Sequence, residues 1–207
     1  MPPRRRFIGL SVLGASAVLA GLGYRVVRGA PAPARQDAVL PDDVCLVAPT
    51  FSFDATSGLP LNAAREVPHD ARCPVCGMFP ARQRRWAAQV IFNNGAVQYL
   101  DSPLSLFLYL QRVPHYTAGQ SAASIVASYV TDLDTGAWIP AERAWYVHWS
   151  AQMGPMRSGN LPAFATLDQA RAFAAREGGE WLTAERLRQG LPAPLQRLAP
   201  HTHGGPP

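Results

Sequence analysis

The chain contains no lysine: all 19 of its basic residues are arginine, set against 14 carboxylates. It has only three cysteines in 207 residues, which excludes a small disulfide-dense scaffold. There is no Gly-x-Ser-x-Gly, no phosphate-cradling glycine loop and no legible nucleophile–base–acid set; serine and aspartate fall mainly at caps and turns. Charged residues are just 16% of the chain against 48% hydrophobic, so wholesale disorder is excluded and one ordinary core can be buried. The net charge of +5 suggests a polyanionic partner until it is located. Arg4, Arg5, Arg6, Arg25 and Arg28 lie in the first 34 residues, which hold no acid, and the remaining 14 arginines balance the 14 carboxylates. The body is neutral, and no nucleic-acid partner is expected.

What is present begins with a leader over residues 1–34. Arg4-Arg5-Arg6-Phe7-Ile8-Gly9 precedes a short apolar stretch from Leu10 to Leu22. A basic start and a short apolar core are the parts of an export signal, and the arginine pair followed by Phe-Ile resembles the twin-arginine type. Ala32-Pro33-Ala34 offers small residues for cleavage before Arg35. Left uncleaved, the leader would instead tie the protein to the inner membrane, although the apolar run is short for a span of about 20 residues. No cysteine precedes Cys45, so acylation is not expected. The predicted location is the periplasm.

Residues 35–68 are rich in Pro, Ala and Asp and read as a linker or extended arm. The organised domain is predicted over 69–191, in two halves of about 69–118 and 119–191. In the first, Trp86 to Tyr99 has strand composition broken by Asn93-Asn94-Gly95, a hairpin signal, and Asp101-Ser102-Pro103 starts a helix that stops before Pro114. In the second, Ser124 to Val130 is a β-branched run, Asp132 to Gly136 a turn, and Trp145 to Trp149 alternates as a half-buried strand. Thr166 and Gln169 form a capping box ahead of an amphipathic helix ending at Gly178-Gly179, and Trp181 to Leu191 suggests another helix. The expected fold class is α/β (α+β), from two similar units. Residues 192–207, with His201 and His203, read as a disordered tail.

The densest set of soft ligands is His69-Asp70-Ala71-Arg72-Cys73-Pro74-Val75-Cys76-Gly77-Met78. Two cysteines two residues apart can turn both sulfurs to one side, as half of a zinc site, a redox pair or a disulfide. Methionine tilts the choice. Apart from the initiator there are three, Met78, Met153 and Met156, the last two in a Gly/Pro loop downstream of His148. Thioether is a poor zinc ligand and a good Cu(I) ligand. The candidate metal ligands are therefore Cys73, Cys76, Met78, Met156, Met153 and His148. The alternatives are a thiol–disulfide oxidoreductase using Cys73 and Cys76, or a structural zinc site. Arg82, Arg84 and Arg85 read as a solvated basic cluster.

Three motifs in order then resemble the NosL family, accessory proteins of nitrous oxide reductase. They are Cys-Pro-Val-Cys-Gly-Met at 73–78; Val130 to Trp138 followed by Ala141-Glu142-Arg143-Ala144; and Gly154-Pro155-Met156 followed by Leu161-Pro162-Ala163-Phe164. The resemblance covers roughly residues 69 to 182. It implies two related ββαβ units and a non-enzymatic, exported chaperone that binds Cu(I) and helps load the copper centres of nitrous oxide reductase with its membrane maturation machinery. Carried over by position, Cys76, Met78 and Met156 are the first ligands it implies, then Cys73. Family members are commonly lipoproteins, and the missing acyl-accepting cysteine is a departure.

Overall fold

The computed structural model describes residues 48–157 and 161–196. The leader with its Ala32-Pro33-Ala34 segment, Cys45, His201 and His203 lie outside the described residues. Among the described residues no helix is long and apolar enough to cross a membrane.

The first unit starts with β1 (Ala88–Phe92) and β2 (Val97–Leu100), joined at Asn93-Asn94-Gly95. Gly95 takes φ 79°, its N–H donates to the Phe92 carbonyl at 2.8 Å, and Asn94 Oδ1 accepts from the Ala96 N–H at 3.0 Å. That is the hairpin chemistry expected of this tripeptide. α1 (Pro103–Gln111) follows, with Ser102 accepting from the Ser105 N–H at 3.2 Å as N-cap and Pro103 in the first turn. The short α2 (Val113–Tyr116) leads to β3 (Ile125–Thr131) and β4 (Trp138–Pro140). The second unit has β5 (Trp145–His148), β6 (Ala163–Phe164), α3 (Leu167–Glu177) and β7 (Glu180–Thr183), then α4 (Ala184–Gln189) and α5 (Ala193–Gln196).

Two antiparallel sheets result, ordered β2-β1-β3-β4 and β6-β5-β7. The order β2-β1-β3 repeats as β6-β5-β7, so two ββαβ units of one topology are present, an α+β fold. The boundary between them differs from the expected 118/119. β3 pairs along the whole of β1, from Ala88↔Val130 to Phe92↔Ile125, and so closes the first unit instead of opening the second. The second unit opens at β5. The region 181–191 is also not helical throughout: Trp181 pairs with Val147 in β7, and Thr183 then caps α4 by accepting from the Arg186 N–H.

Residues 48–68 run as an arm over the first sheet. Phe51 bridges to Val97, and the buried Gln89 side chain exchanges two 2.9 Å hydrogen bonds with the Arg65 backbone. This pairing satisfies an amide that β1 buries completely. At the other end, residues 192–196 depart from the tail expected over 192–207: they carry α5, and Leu195 is buried in the main core, while 197–207 lie outside the described residues. That core is shared. It includes Val90 and Phe92 from β1, Leu104 and Leu106 to Tyr109 from α1, Tyr146 from β5 and Leu187 from α4. Asp132 adds a polar joint: one carboxylate oxygen accepts from the N–H groups of Asp134 and Thr135, the other from that of Ala165 beside β6.

Candidate metal centre

Residues 73–78 form a closed loop. The Cys73 N–H donates to the Met78 carbonyl and the Gly77 N–H donates to the Cys73 carbonyl, both at 2.8 Å. Gly77 sits at φ 74°, a left-handed conformation glycine adopts without a Cβ penalty, and Pro74 stiffens the other side. The loop turns both sulfurs inward, Cys73 at 1% exposure and Cys76 half-buried; both are free thiols.

Beneath them lies Asp101, at the junction of β2 and α1. Its carboxylate and the two sulfurs offer three ligand atoms all within 4.8 Å of one another. Asp101 is 1% exposed, and its Oδ2 has no hydrogen-bond partner although it is buried. A buried carboxylate oxygen without a partner is costly unless something positive reaches it. Burial pushes the Cys73 thiol well above its ordinary value of 9.0; the hydrogen bond to Cys76 and the charges of Asp101 and Cys76 push the same way. A hydrogen bond from the Asp101 backbone N–H opposes them and is outweighed. Metal-free, Cys73 therefore holds its proton, and a bound cation must displace it. Two sulfurs and one carboxylate oxygen fit a metal ion, with the soft donors in the majority.

Asp101 is not among the ligands expected from the sequence. The signal was present: two cap-type residues precede Pro103, one is enough to cap, and Ser102 does so, which leaves the Asp101 side chain for the cysteines.

The other expected ligands are placed as follows. Met78 is half-buried and lines a cleft of about 410 Å³ together with Gly77, Asp101 and Pro155. Pro155 belongs to the Met153–Met156 loop, so that loop meets the cysteine turn at this cleft. Met156 is half-buried and packs on the same core cluster as Cys73 and Cys76. Met153 is 62% exposed on the loop surface. His148 is not brought into the Cys73–Cys76–Asp101 group. It is buried on β5, where its Nε2 lies 3.6 Å from a Glu180 carboxylate oxygen across the β5–β7 register.

The NosL family model matches residues 64–191, more than half of the chain and a span that includes the whole centre. The chain belongs to the NosL family. A NosL-family relative, the copper-binding lipoprotein NosL of Achromobacter cycloclastes, is 32% identical over 102 residues, 44% of this chain and 53% of that protein. The chain thus spans about half the length of that curated relative. The crystal structure of the copper chaperone NosL from Shewanella denitrificans superposes with a TM-score of 0.53 at 21% identity, covering 63% of this chain and 98% of that one. At that identity the likeness is one of fold, and it agrees with the α+β architecture described above.

Proposed function

We propose that this chain is an exported, non-enzymatic metallochaperone that binds Cu(I) and supplies it for assembly of the copper centres of nitrous oxide reductase. It would work beside the reductase's membrane maturation machinery in the periplasm, reached through the leader or held at the inner membrane by it. The observation that carries the reading is the convergence of Cys73, Cys76 and Asp101 under a cleft edged by Met78. Its NosL relatives, a copper-binding lipoprotein and a copper chaperone, support it. Sulfur donors favour Cu(I) over Cu(II), and thioether disfavours zinc.

The geometry suits a carrier. Burial of Cys73 and Asp101 shields the ion, while half-buried Cys76 and Met78 leave a side from which a partner's ligand can enter as the carrier's ligands leave. Loading requires that the Cys73 proton be released, so uptake is favoured at higher pH. The oxidoreductase alternative is disfavoured by Cys73. Its thiol lies in a closed loop rather than at a helix N-terminus, is almost fully buried, and is pushed up instead of down.

The test is anaerobic titration of the reduced full chain with Cu(I) and with Zn(II), in competition with a chromophoric chelator. One Cu(I) per chain is expected. Cys76→Ser should lower Cu(I) affinity by more than about a hundredfold, the upper end of what losing a residue outside the ligand set costs. Met78→Leu should weaken Cu(I) binding while leaving thiol exchange intact. Unchanged Cu(I) affinity in Cys76→Ser would overturn the site. Zn(II) outcompeting Cu(I) would overturn the choice of metal.

A further inference from the structure

The neutral body of the chain concentrates positive charge in one place. An open groove of about 680 Å³ is lined by Arg82, Arg84, Arg85 and Arg176, against two carboxylates, Asp134 and Glu177. Arg84 pairs with Glu66 at 2.6 Å. Among the described residues the other three arginines have no carboxylate partner. Each is instead held by a neutral group: Arg85 donates to the Asp134 backbone carbonyl, Arg82 lies over the Phe79 ring at 4.6 Å, and Arg176 lies 5.9 Å from the Phe173 ring centre. Such supports fix a guanidinium without neutralising it. The groove also adjoins the metal cleft, since Arg82 and Gln83 line both. Gln152, on the groove, directly precedes Met153 of the loop that reaches that cleft.

We infer that this groove is the docking surface for an acidic segment of the protein that exchanges metal with this chain. The inference rests on the metallochaperone reading. Charge complementarity selects the partner's carboxylates, and adjacency to the cleft brings the partner's own ligands near Met78. A concave groove admits a protruding acidic segment, whereas a flat lipid surface would meet only its rim. Pairing between exposed charges in such an open groove acts chiefly on the encounter rate and is weakened by salt.

The test uses the reduced full chain and a fluorescein-labelled glutamate-rich peptide carrying a His-Met pair, with its glutamine-for-glutamate counterpart as control. Fluorescence anisotropy on the metal-free chain should show salt-sensitive binding of the acidic peptide alone. The double variant Arg85→Gln/Arg176→Gln, which spares the cleft-lining Arg82, should weaken that binding about tenfold. Arg85→Lys/Arg176→Lys, which keeps the charge, should restore most of it. On the Cu(I)-loaded chain, transfer to the acidic peptide should be faster than to the control, and the glutamine variant should abolish the difference without changing affinity in chelator competition. Equal binding of both peptides, or no effect of the glutamine variant, would overturn the inference. So would tighter binding to phosphatidylglycerol-containing vesicles than to the peptide. Peptide docking by a chain that takes up no Cu(I) would keep the acidic-segment site and overturn its role in metal exchange.

Discussion

Cys73 keeps its proton in the metal-free protein because nearly everything around it disfavours a thiolate: burial first, then Cys76 and the charge of Asp101. This preference is linked to stability. The unfolded chain begins to release the thiol proton as pH approaches 9.0, while the folded chain still holds it. The native state then binds more protons than the unfolded state, and unfolding free energy falls as pH rises. Below that window the residue contributes no pH dependence. Urea denaturation of the reduced, metal-free chain at steps between pH 7 and pH 10 is expected to show a plateau followed by a decline. Tyr99 and Tyr109, pushed up by burial to about 12, add to the decline only toward its upper end. Asp101→Asn should make the decline shallower, since it removes one of the charges that hold the proton on. Stability that stays flat through pH 10 would show that the thiol is not buried as described.

At the scale of elements, the cysteine turn depends on a single backbone conformation. Gly77 at φ 74° lets its N–H reach the Cys73 carbonyl, and a side chain there carries a left-handed penalty of about 1–2 kcal/mol. Gly77→Ala should therefore lower unfolding free energy by that amount in chemical denaturation. It should also weaken Cu(I) binding, because the turn relaxes by parting the two sulfurs. Gly136→Ala is the matched control: its φ is 77°, a Cβ there meets nothing within 4 Å, and it lies in the β3–β4 turn. It should cost similar stability and leave Cu(I) affinity unchanged. Equal affinity in both variants would disconnect the turn's conformation from binding. Such turns, like the Asn93-Asn94-Gly95 hairpin and the Thr166–Gln169 capping box, were legible in the sequence because their chemistry is local. The Cys73–Cys76 pair was legible for the same reason. Asp101 was not, since its meeting with the sulfurs is made by the β2–α1 junction and lies 25 residues or more away along the chain.

For the whole molecule, non-local pairing decides the architecture. Nothing within Ser124 to Val130 says whether that strand pairs backward with β1 or forward with β5; burial of both faces of β1 does. The local pattern thus gave both units but misplaced their boundary. The units are then fused through one core, where Phe107 of α1 meets Tyr146 of β5 edge-on at a centroid distance of 5.1 Å. Tyr146 is fixed there by donating its hydroxyl to the Ala141 carbonyl at 2.7 Å. If the core is common, the two ββαβ units cannot unfold separately. Phe107→Ala should cost about 3–5 kcal/mol, as large truncations in packed interiors do. That loss should appear equally in both units, since a two-state domain loses all its structure in one transition. Native-state hydrogen exchange on the metal-free chain is the check: amides of β1 and of β5 should lose protection by the same amount in the variant. Loss confined to β1 would mean that each sheet keeps a core of its own, and that the metal centre, built on the 73–78 turn, the β2–α1 junction and the Met153–Met156 loop, can open without unfolding the second unit.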